Sequence, residues 1–320
     1  MKKIAVLTSG GDAPGMNAAL RAVVRYALYK GLDVYGVEKG YSGLINGNIS
    51  RYNSRSVSDI INRGGTILKT SRCPEFRTEE GRRSAYETLS AYGITGLVVI
   101  GGDGSFRGAK DFSSEFDVKV AGIPGTIDND LNYTDYTLGF DTAVNTAVSA
   151  INNLRDTMGS HDRVSMLEVM GRGCGDIALY AGIAGGAEYV IIPEVPFDLD
   201  AICRDIKSSQ KRGKTSNMII LAEGAGDKEE IVAQIKEKTG VSVKTTTLGH
   251  IQRGGSPTMF DRVLAARMAV KAVDTLCSEA ESSLIGIRRN EITADPIETA
   301  LSMPKRFNEE LYSIAHILSL

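Results

Sequence analysis

Tryptophan is absent from the 320 residues of this chain, and histidine, cysteine and proline are scarce, with 3, 4 and 8 residues. Aromatic residues make up only 6% of the sequence. No stretch approaches the roughly 20 consecutive apolar residues that a membrane-spanning helix needs, so we expect no membrane association. The formal net charge of −2 gives no reason to expect nucleic acid as a partner.

The few cysteines restrict the chemistry further. Cys73, Cys174, Cys203 and Cys277 are far apart in the sequence and form no C-x-x-C pair. This spacing predicts reduced thiols, no zinc site and a cytoplasmic location.

What the chain does contain is a regular alternation of short apolar runs and helical patterns. "KIAVLTS" at 3–9 predicts a strand, and the apolar stripe of "MNAALRAVVRYALYKG" at 16–31 predicts a helix. The alternation predicts an α/β fold with mostly parallel sheets and helices on both faces. The length favours two doubly wound lobes of three αβα layers each. We place the first lobe at about 1–140 plus 251–301, and the second at about 141–250 plus 302–320.

Glycine is abundant, with 35 residues, and is concentrated at the ends of the predicted strands. "LTSGGDAPGMN" contains Gly10, Gly11 and Gly15, and "VVIGGDGSFRGA" surrounds Asp103 with glycines. Neither loop is a P-loop or a dinucleotide-binding motif. Glycines at such positions let backbone N–H groups approach phosphates, and both loops are expected at one edge of a parallel sheet. They favour a nucleotide site, although each loop alone is also explained by a tight turn.

A third loop, "PGTIDND" at 124–130, follows another predicted strand. Its carboxylates would repel the phosphates of a nucleotide, but one of them would be useful as the base that accepts a proton from an attacking hydroxyl group. We interpret Asp128 as that base, with Thr126 and Asp130 shaping the loop or the outer shell of a metal. The alternative is a solvated turn.

Together with "INRGGTIL", "SRCPEF", "YTLGFDTA", "EVMGR", "AEG" and "LGHIQRGGSP", these loops resemble bacterial ATP-dependent 6-phosphofructokinases over essentially the whole chain. The resemblance implies transfer of the γ-phosphoryl group of ATP to the 1-hydroxyl of fructose 6-phosphate, with Mg²⁺ as cofactor. It implies that the first lobe binds ATP and the second the sugar phosphate. It also implies a homotetramer whose sites are shared between subunits.

The resemblance assigns residues position by position. The ATP set is Gly11, Tyr41, Arg72, Cys73, Gly102, Asp103, Gly104, Ser105 and Gly108, with Asp103 as the metal carboxylate. The catalytic set is Asp128, Thr126 and Arg172. The sugar-phosphate set is Thr126, Ile127, Asp128, Met170, Gly171, Arg172, Glu223, His250, Ile251, Gln252 and Arg253, joined by Arg163 and Lys244 from a neighbouring subunit. Taken singly, each has an ordinary alternative, such as a surface charge for Arg163 or a core histidine for His250.

Two glycines discriminate ATP from pyrophosphate. Pyrophosphate-dependent relatives carry Asp where this chain has Gly104 and Lys where it has Gly125. Glycine at both positions is expected to leave space for the nucleotide. Two alternatives remain: a pyrophosphate-dependent phosphofructokinase, and a non-catalytic sugar-phosphate sensor on the same fold.

An effector site for ADP or phosphoenolpyruvate is also implied. Its residues are Arg21, Ala22, Val23, Val24, Arg25, Ser54, Arg55, Ser58, Asp59, Arg155, Gly186, Ala187, Glu188, Arg212, Lys214, Thr215 and Ser216. Ser54 stands where the family usually has arginine, which makes the usual effector response an open question. Lys244 replaces another usual arginine and loses the bidentate fork of a guanidinium. Lys69 stands where small residues are usual.

Overall fold

The computed structural model describes residues 1–158, 164–214, 216–304 and 307–318. The chain divides into two compact units. Unit 1 comprises Met1–Ile127, Leu131–Thr142 and Arg253–Lys305, and unit 2 comprises Asp128–Asp130, Ala143–Gln252 and Arg306–Leu320. The assignment of one ligand to each lobe stays a prediction.

Eleven strands lie in the described residues. In chain order they are β1 Lys3–Thr8, β2 Asp33–Val37, β3 Ile49–Tyr52, β4 Gly96–Gly101, β5 Lys119–Pro124, β6 Val164–Val169, β7 Tyr189–Ile191, β8 Asn217–Ala222, β9 Val243–Thr247, β10 Ser283–Arg288 and β11 Glu291–Pro296.

The α-helices of the described residues follow the same order. They are α1 Met16–Tyr29, α2 Gly40–Ile45, α3 Glu79–Tyr92, α4 Asp103–Glu115, α5 Phe140–Met158, α6 Asp176–Ala184, α7 Leu199–Lys211, α8 Lys228–Thr239, α9 Met259–Cys277, α10 Ile297–Ser302 and α11 Glu309–Leu318. Short 3-10 turns cover Pro74–Arg77 and Gly249–Arg253. None of the described helices is long and apolar enough to cross a membrane.

Unit 1 contains a seven-stranded sheet with the order β11-β10-β5-β4-β1-β2-β3. The five inner strands are parallel, and only the edge strands β3 and β11 run antiparallel to their neighbours. From β1 the chain goes to β2 on one side and later enters β4 on the other. This reversal opens a crevice at the carboxyl ends of β1 and β4, which is where open α/β sheets bind ligands.

Both faces of this sheet are buried. One face packs against α2, α3, α4 and α10 through a cluster that includes Leu7, Leu97 and Phe106. The intervening residues Val6 and Val98 are also fully buried, and α1 and α9 pack together beside the sheet. Strands that are buried on both faces read as continuous apolar runs, which is why the sequence reveals β1 and β4 so clearly.

Unit 2 contains a four-stranded parallel sheet with the order β7-β8-β6-β9. Its core includes Met166 and Leu221 from the strands, with Ile206 of α7 and Ile235 of α8. Helix α6 packs against β7 and β8. The predicted α/β class with mostly parallel sheets is confirmed.

Candidate functional site

The two predicted glycine loops meet at the reversal point of the unit 1 sheet. The N–H of Ser9 donates to the carbonyl of Ile100 at 2.9 Å, and the hydroxyls of Ser9 and Ser105 are 2.9 Å apart. A Cβ placed on Gly101 would lie 2.6 Å from the carbonyl oxygen of Ser9. Only glycine therefore fits at 101, and the loops after β1 and β4 form one surface.

The amino terminus of α4 is part of this surface. Gly102 caps the helix with an extended backbone, and Asp103 is the first helical residue. A Cβ placed on Gly104 would meet no atom within 4 Å. The open helix terminus is suited to an anion because its N–H groups and dipole attract negative charge.

Asp103 is the carboxylate predicted to hold a metal. Its Oδ2 accepts a hydrogen bond from Nε of Arg107 at 2.7 Å, and its side chain is 41% exposed. Among the described residues, no group of three or more His, Cys, Asp or Glu side chains could hold a metal ion. One accessible carboxylate fits Mg²⁺, which usually keeps several waters and takes its other ligands from phosphates.

Tyr41 forms the wall next to this terminus. Its hydroxyl donates to the carbonyl of Ser105 at 2.7 Å, and its ring stacks on Phe76 at 3.8 Å. Burial raises the pKa of Tyr41 well above its usual value, so the hydroxyl stays a donor. A Cβ on Gly108 would lie 3.3 Å from the Phe76 ring, so the glycine leaves room for this pair. The predicted Cys73 is half-buried, and Arg72 is exposed.

The turn that carries Phe76 is held by a charged pair. Nε of Arg82 donates to Oε2 of Glu115 at 2.7 Å, and Nη1 of Arg82 donates to the carbonyls of Phe76 and Arg77. The Arg82 side chain is only 9% exposed. The hydrogen bonds from Arg82 lower the pKa of Glu115. The pair therefore links α3, α4 and the aromatic wall.

Removing this carboxylate should destabilise the folded chain in a pH-dependent way. Because the folded-state pKa of Glu115 is depressed, its contribution is present above about pH 4.5 and is lost as pH falls. We expect Glu115→Gln to lower the free energy of unfolding by about 1 kcal/mol at neutral pH, because the Glu115 side chain is 31% exposed and solvent screens the pair, and by much less at acid pH. Urea denaturation at several pH values measures this. Glu79→Gln, which breaks the exposed Arg83–Glu79 pair, should cost less than about 0.5 kcal/mol, and an equal cost would contradict the prediction.

Lys69 lies beside the end of β1. Its carbonyl accepts a hydrogen bond from the Thr8 hydroxyl at 3.0 Å, and its side chain is exposed. Its φ of 59° is in the left-handed region, which is unfavourable for any residue with a Cβ. This conformation favours glycine, which has no Cβ, at the position.

Lys69→Gly is expected to stabilise the chain by about 0.5–1 kcal/mol, because relief of the left-handed strain exceeds the entropy that glycine adds to the unfolded state. Thermal unfolding of the variant measures the effect. Lys69→Ala keeps the Cβ and should not stabilise. Equal stabilities of the two variants would mean that strain at this residue is negligible.

Arg253 also reaches the first glycine loop. A Cβ placed on Gly11 would lie 2.9 Å from Nη1 of Arg253, so the guanidinium occupies the space where a side chain would stand. The sequence assigns Gly11 to ATP and Arg253 to the sugar phosphate. Within unit 1 the structure brings the two residues together.

The loop after β5 continues this edge. The N–H of Gly125 donates to the carbonyl of Gly101 at 2.8 Å, and the Thr126 carbonyl accepts from the Thr137 hydroxyl at 2.7 Å. Open space was expected at Gly125 as well as at Gly104. At Gly125 this is wrong: a Cβ would lie 3.0 Å from Met16 and 3.1 Å from Ile100. The apolar packing beneath the loop, and not only a ligand, therefore favours glycine there.

Within unit 2, Asp128 lies next to Arg172. Oδ2 of Asp128 is 3.4 Å from Nε of Arg172; the carboxylate side chain is 4% exposed and the arginine side chain 65%. Asn129 and Arg172 both have a φ of 53°. Non-glycine residues in this strained region cluster at functional sites. The amide of Asn129 donates to Oδ2 of Asp176 at 2.8 Å, so the strained segment is fixed.

The carboxyl ends of β6, β8 and β9 gather the remaining sugar-phosphate candidates. The N–H of Arg172 donates to Oε1 of Glu223 at 3.0 Å. The N–H of Met170 donates to Oε1 of Gln252 at 3.4 Å, and Gln252 is fully buried. A Cβ on Gly224 would lie 1.9 Å from the carbonyl oxygen of Arg172, so only glycine fits there.

The other predicted side chains of this set differ in exposure. Ile251 is 68% exposed, and Lys244, Glu223 and His250 are also exposed. Ile127 is buried, and Gly171 has a φ of 140°. Arg163 lies outside the described residues.

The effector candidates of unit 2 lie at the opposite edge of its sheet. Arg155 donates to the carbonyls of Gly185 and Gly186. The carboxylate of Glu188 is 3.6 Å from Arg155 and 3.1 Å from Lys214. The N–H of Glu188 donates to the carbonyl of Met218 near the start of β8. Glu223 follows the other end of β8, roughly 17 Å away along the strand.

In the described part of the chain, the remaining effector candidates of unit 2 do not join this charged cluster. Arg212 donates to the hydroxyls of Ser208 and Ser209. Ala187 is buried and Ser216 half-buried. Thr215 lies outside the described residues.

The effector candidates of unit 1 also lie toward the amino ends of the strands. Tyr52 at the end of β3 pairs with Val34 near the start of β2, and the exposed residues Ser54, Arg55, Ser58 and Asp59 follow it. Helix α1 runs toward the same edge. Its Arg21 and Ala22 are half-buried and Arg25 is exposed. Val23 and Val24 are fully buried inside α1, so they do not form part of an accessible surface.

Sequence reasoning missed several residues that shape these surfaces. Ser9 joins the two glycine loops, Phe76 supports Tyr41, and Asp176 holds Asn129. Phe76 lies in the "SRCPEF" motif beside the predicted residues Arg72 and Cys73, and this position was the only sequence signal for its role. The roles of Ser9 and Asp176 depend on contacts between distant segments and leave no pattern in the sequence.

A family model described as phosphofructokinase matches residues 3–276. Among curated proteins, the chain is 60% identical over 319 residues to an ATP-dependent 6-phosphofructokinase of Clostridium novyi (strain NT), and the match covers 100% of both chains.

Among solved structures, the chain is similar to a phosphofructokinase from Saccharomyces cerevisiae, with 38% identity and a TM-score of 0.89. That match covers 99% of this chain and 47% of the yeast chain, so this chain spans about half the length of that relative. A pyrophosphate-dependent phosphofructokinase from Marinobacter aquaeolei has a TM-score of 0.86 at 20% identity, covering 97% of this chain and 86% of the other. At this identity the likeness concerns the fold alone.

Proposed function

Because the chain belongs to the phosphofructokinase family, we propose that it transfers the γ-phosphoryl group of ATP to the 1-hydroxyl of fructose 6-phosphate, giving fructose 1,6-bisphosphate and ADP. The full-length identity of 60% to a curated ATP-dependent 6-phosphofructokinase carries this proposal. The buried carboxylate of Asp128, which lies beside Arg172, supports it.

Unit 1 binds the nucleotide in this proposal. The backbone N–H groups of the two glycine loops and of the α4 terminus face the phosphates, and Tyr41 and Gly108 form the adjacent wall. The ATP set also includes Arg72 and Cys73. Mg²⁺ is held through Asp103 and its waters, and when bound it neutralises charge on the phosphates.

Unit 2 supplies the base and the sugar-phosphate residues. Asp128 accepts the proton of the attacking hydroxyl, and Arg172 orients the carboxylate. Glu223 accepts hydrogen bonds from sugar hydroxyls while its Oε1 holds the loop at Arg172. His250 and, from a neighbouring subunit, Arg163 and Lys244 bind the 6-phosphate, to which Arg253 of unit 1 is also assigned.

Gly104 favours ATP over pyrophosphate. The space beyond its Cα is open, so a nucleotide can approach the α4 terminus without meeting a carboxylate. Gly125 supports ATP less directly, because Met16 and Ile100 already fill the space where a lysine would begin.

Regulation, assembly and location form a further layer of the proposal. ADP or phosphoenolpyruvate binds between subunits, and its candidate contacts are the cluster of Arg155, Glu188 and Lys214, the cations of α1 and the loop from Ser54 to Asp59. The chain works as a homotetramer in the cytoplasm. Ser54 stands where the family usually has arginine, so the response to these effectors needs its own test.

Steady-state assays of fructose 6-phosphate phosphorylation test the proposal directly. We expect turnover with MgATP and no turnover with pyrophosphate. Activation by ADP and inhibition by phosphoenolpyruvate would support the effector site, whereas indifference to both would remove it. Turnover with pyrophosphate alone would overturn the nucleotide assignment, and binding of MgATP without turnover would favour a sensor.

A further inference from the structure

Asp261 is a fully buried carboxylate that the proposed mechanism does not use. It lies in the first turn of α9, which is capped by Thr258. Its Oδ1 accepts from the N–H of Gly139 at 2.9 Å, and its Oδ2 accepts from the N–H and the hydroxyl of Thr142 at 3.0 and 2.5 Å. Gly139 directly precedes α5 and Thr142 is in its first turn, so Asp261 caps α5 from another helix.

Keeping a carboxylate in this place is costly. Burial raises the pKa of Asp261 to about 6, although the hydrogen bonds from Thr142 and Gly139 oppose the shift. The carboxylate accepts hydrogen bonds from two backbone N–H groups and a hydroxyl, which an apolar residue cannot do, whereas an ordinary helix cap requires only a local serine or aspartate. This cost suggests a role beyond stability for the contact of Asp261 with Gly139 and Thr142.

The segment that Asp261 and Gly139 support is the first glycine loop. A Cβ placed on Gly15 would lie 3.6 Å from the Cβ of Asp261. A Cβ placed on Gly139 would lie 2.8 Å from the Cβ of Ala13 and 3.1 Å from Pro14. The backbone of Ala13–Gly15 therefore packs directly against Asp261 and against Gly139, whose N–H donates to Asp261.

We propose that Asp261 is a positioning residue for the nucleotide: it fixes Gly139 and Thr142, and thereby holds the Gly10–Gly15 loop in the conformation that receives phosphates. This inference rests on the proposed binding of ATP to unit 1. Gly15 has a φ of 99°, so the loop ends in a conformation that a displaced support would not maintain. A small displacement of a positioning group is enough to weaken binding strongly.

Asp261→Asn tests the proposal because it keeps the shape and places an NH₂ group opposite a backbone N–H. The probe is MgATP, with its Kd measured by calorimetry on the full chain and the KM for fructose 6-phosphate measured in parallel. We expect the Kd for MgATP to rise by about fivefold to fiftyfold, and the KM for fructose 6-phosphate to change by less than about twofold. An unchanged Kd, or equal changes in both constants, would overturn the proposal.

A second pair of variants keeps the test decisive if Asp261→Asn does not fold. Thr142→Val removes the hydroxyl that bonds Asp261, and Thr142→Ser keeps it. We expect only the valine variant to raise the Kd for MgATP, by about threefold or more. Equal affinities would overturn the proposal. A wild-type chain that binds MgATP without turnover would refute the proposed reaction and leave this comparison valid.

Discussion

Asp128→Asn is expected to lower kcat by about 10²–10⁴-fold, the range that a positioned general base contributes. Asparagine has the shape of aspartate but cannot accept the proton of the 1-hydroxyl. The loop geometry should survive, because it depends on contacts such as that between Asn129 and Asp176. Steady-state kinetics with MgATP and fructose 6-phosphate, together with thermal unfolding, separate chemistry from stability.

The stability of this variant should stay close to that of the wild type. Asp128 is buried, so replacing its charge removes a desolvation cost, while Arg172 is 65% exposed and remains solvated without its partner. A fall in kcat without a fall in unfolding temperature would therefore report on the base.

Asp117→Asn is the matched control. Asp117 is exposed and precedes β5, whereas Asp128 follows the other end of the same strand. The same chemical change at Asp117 should alter kcat by less than about twofold. If Asp128→Asn kept kcat within tenfold of the wild type, the assignment of Asp128 as the base would be rejected.

The resemblance to phosphofructokinases is confirmed by the family match and by the curated relative of equal length. The predicted α/β class is confirmed as well, because strands such as β1 and β4 are buried on both faces and stand out as apolar runs. The helix predicted at 16–31 is α1, with Gly31 in the left-handed conformation just beyond its end.

Features that depend on distant contacts could not be predicted. The edge strands β3 and β11 are partly exposed, and β3 has only four residues, so they do not stand out as apolar runs. The crowding at Gly125 depends on Met16 and Ile100, which are far apart in the sequence. The hydrogen bonds that Asp261 accepts from Gly139 and Thr142 also correspond to no local sequence motif. Sequence patterns therefore pointed to the candidate ligand-binding loops. The packing beneath those loops could be described only from the structure.

Gly104→Asp is expected to raise the KM for ATP by at least about tenfold while the fold is retained. Two unit charges about 4 Å apart interact by about 1 kcal/mol in water and about 4 kcal/mol near a protein surface, so a carboxylate beside the nucleotide phosphates would weaken binding by this order. The backbone tolerates the change, because a Cβ at 104 meets no atom within 4 Å.

The effects on stability and on binding should have opposite signs, which makes the result hard to attribute to misfolding. Gly104 is the second residue of α4. An aspartate in the first turn of a helix stabilises it by about 0.3–1 kcal/mol through the helix dipole, and any residue with a Cβ improves on glycine there. The unfolding temperature should therefore stay the same or rise while ATP binding weakens.

Gly104→Asn isolates the charge, since asparagine has the same shape without it. We expect the KM for ATP in this variant to stay within about threefold of the wild type. An equal rise in both variants would mean that bulk, and not charge, excludes the nucleotide. Gly104→Asp alone should not create activity with pyrophosphate, because the lysine of pyrophosphate-dependent relatives has no counterpart. At Gly125 the Cβ of such a lysine would crowd Met16 and Ile100, so we expect the specificity of this chain to depend on packing as well as on charge.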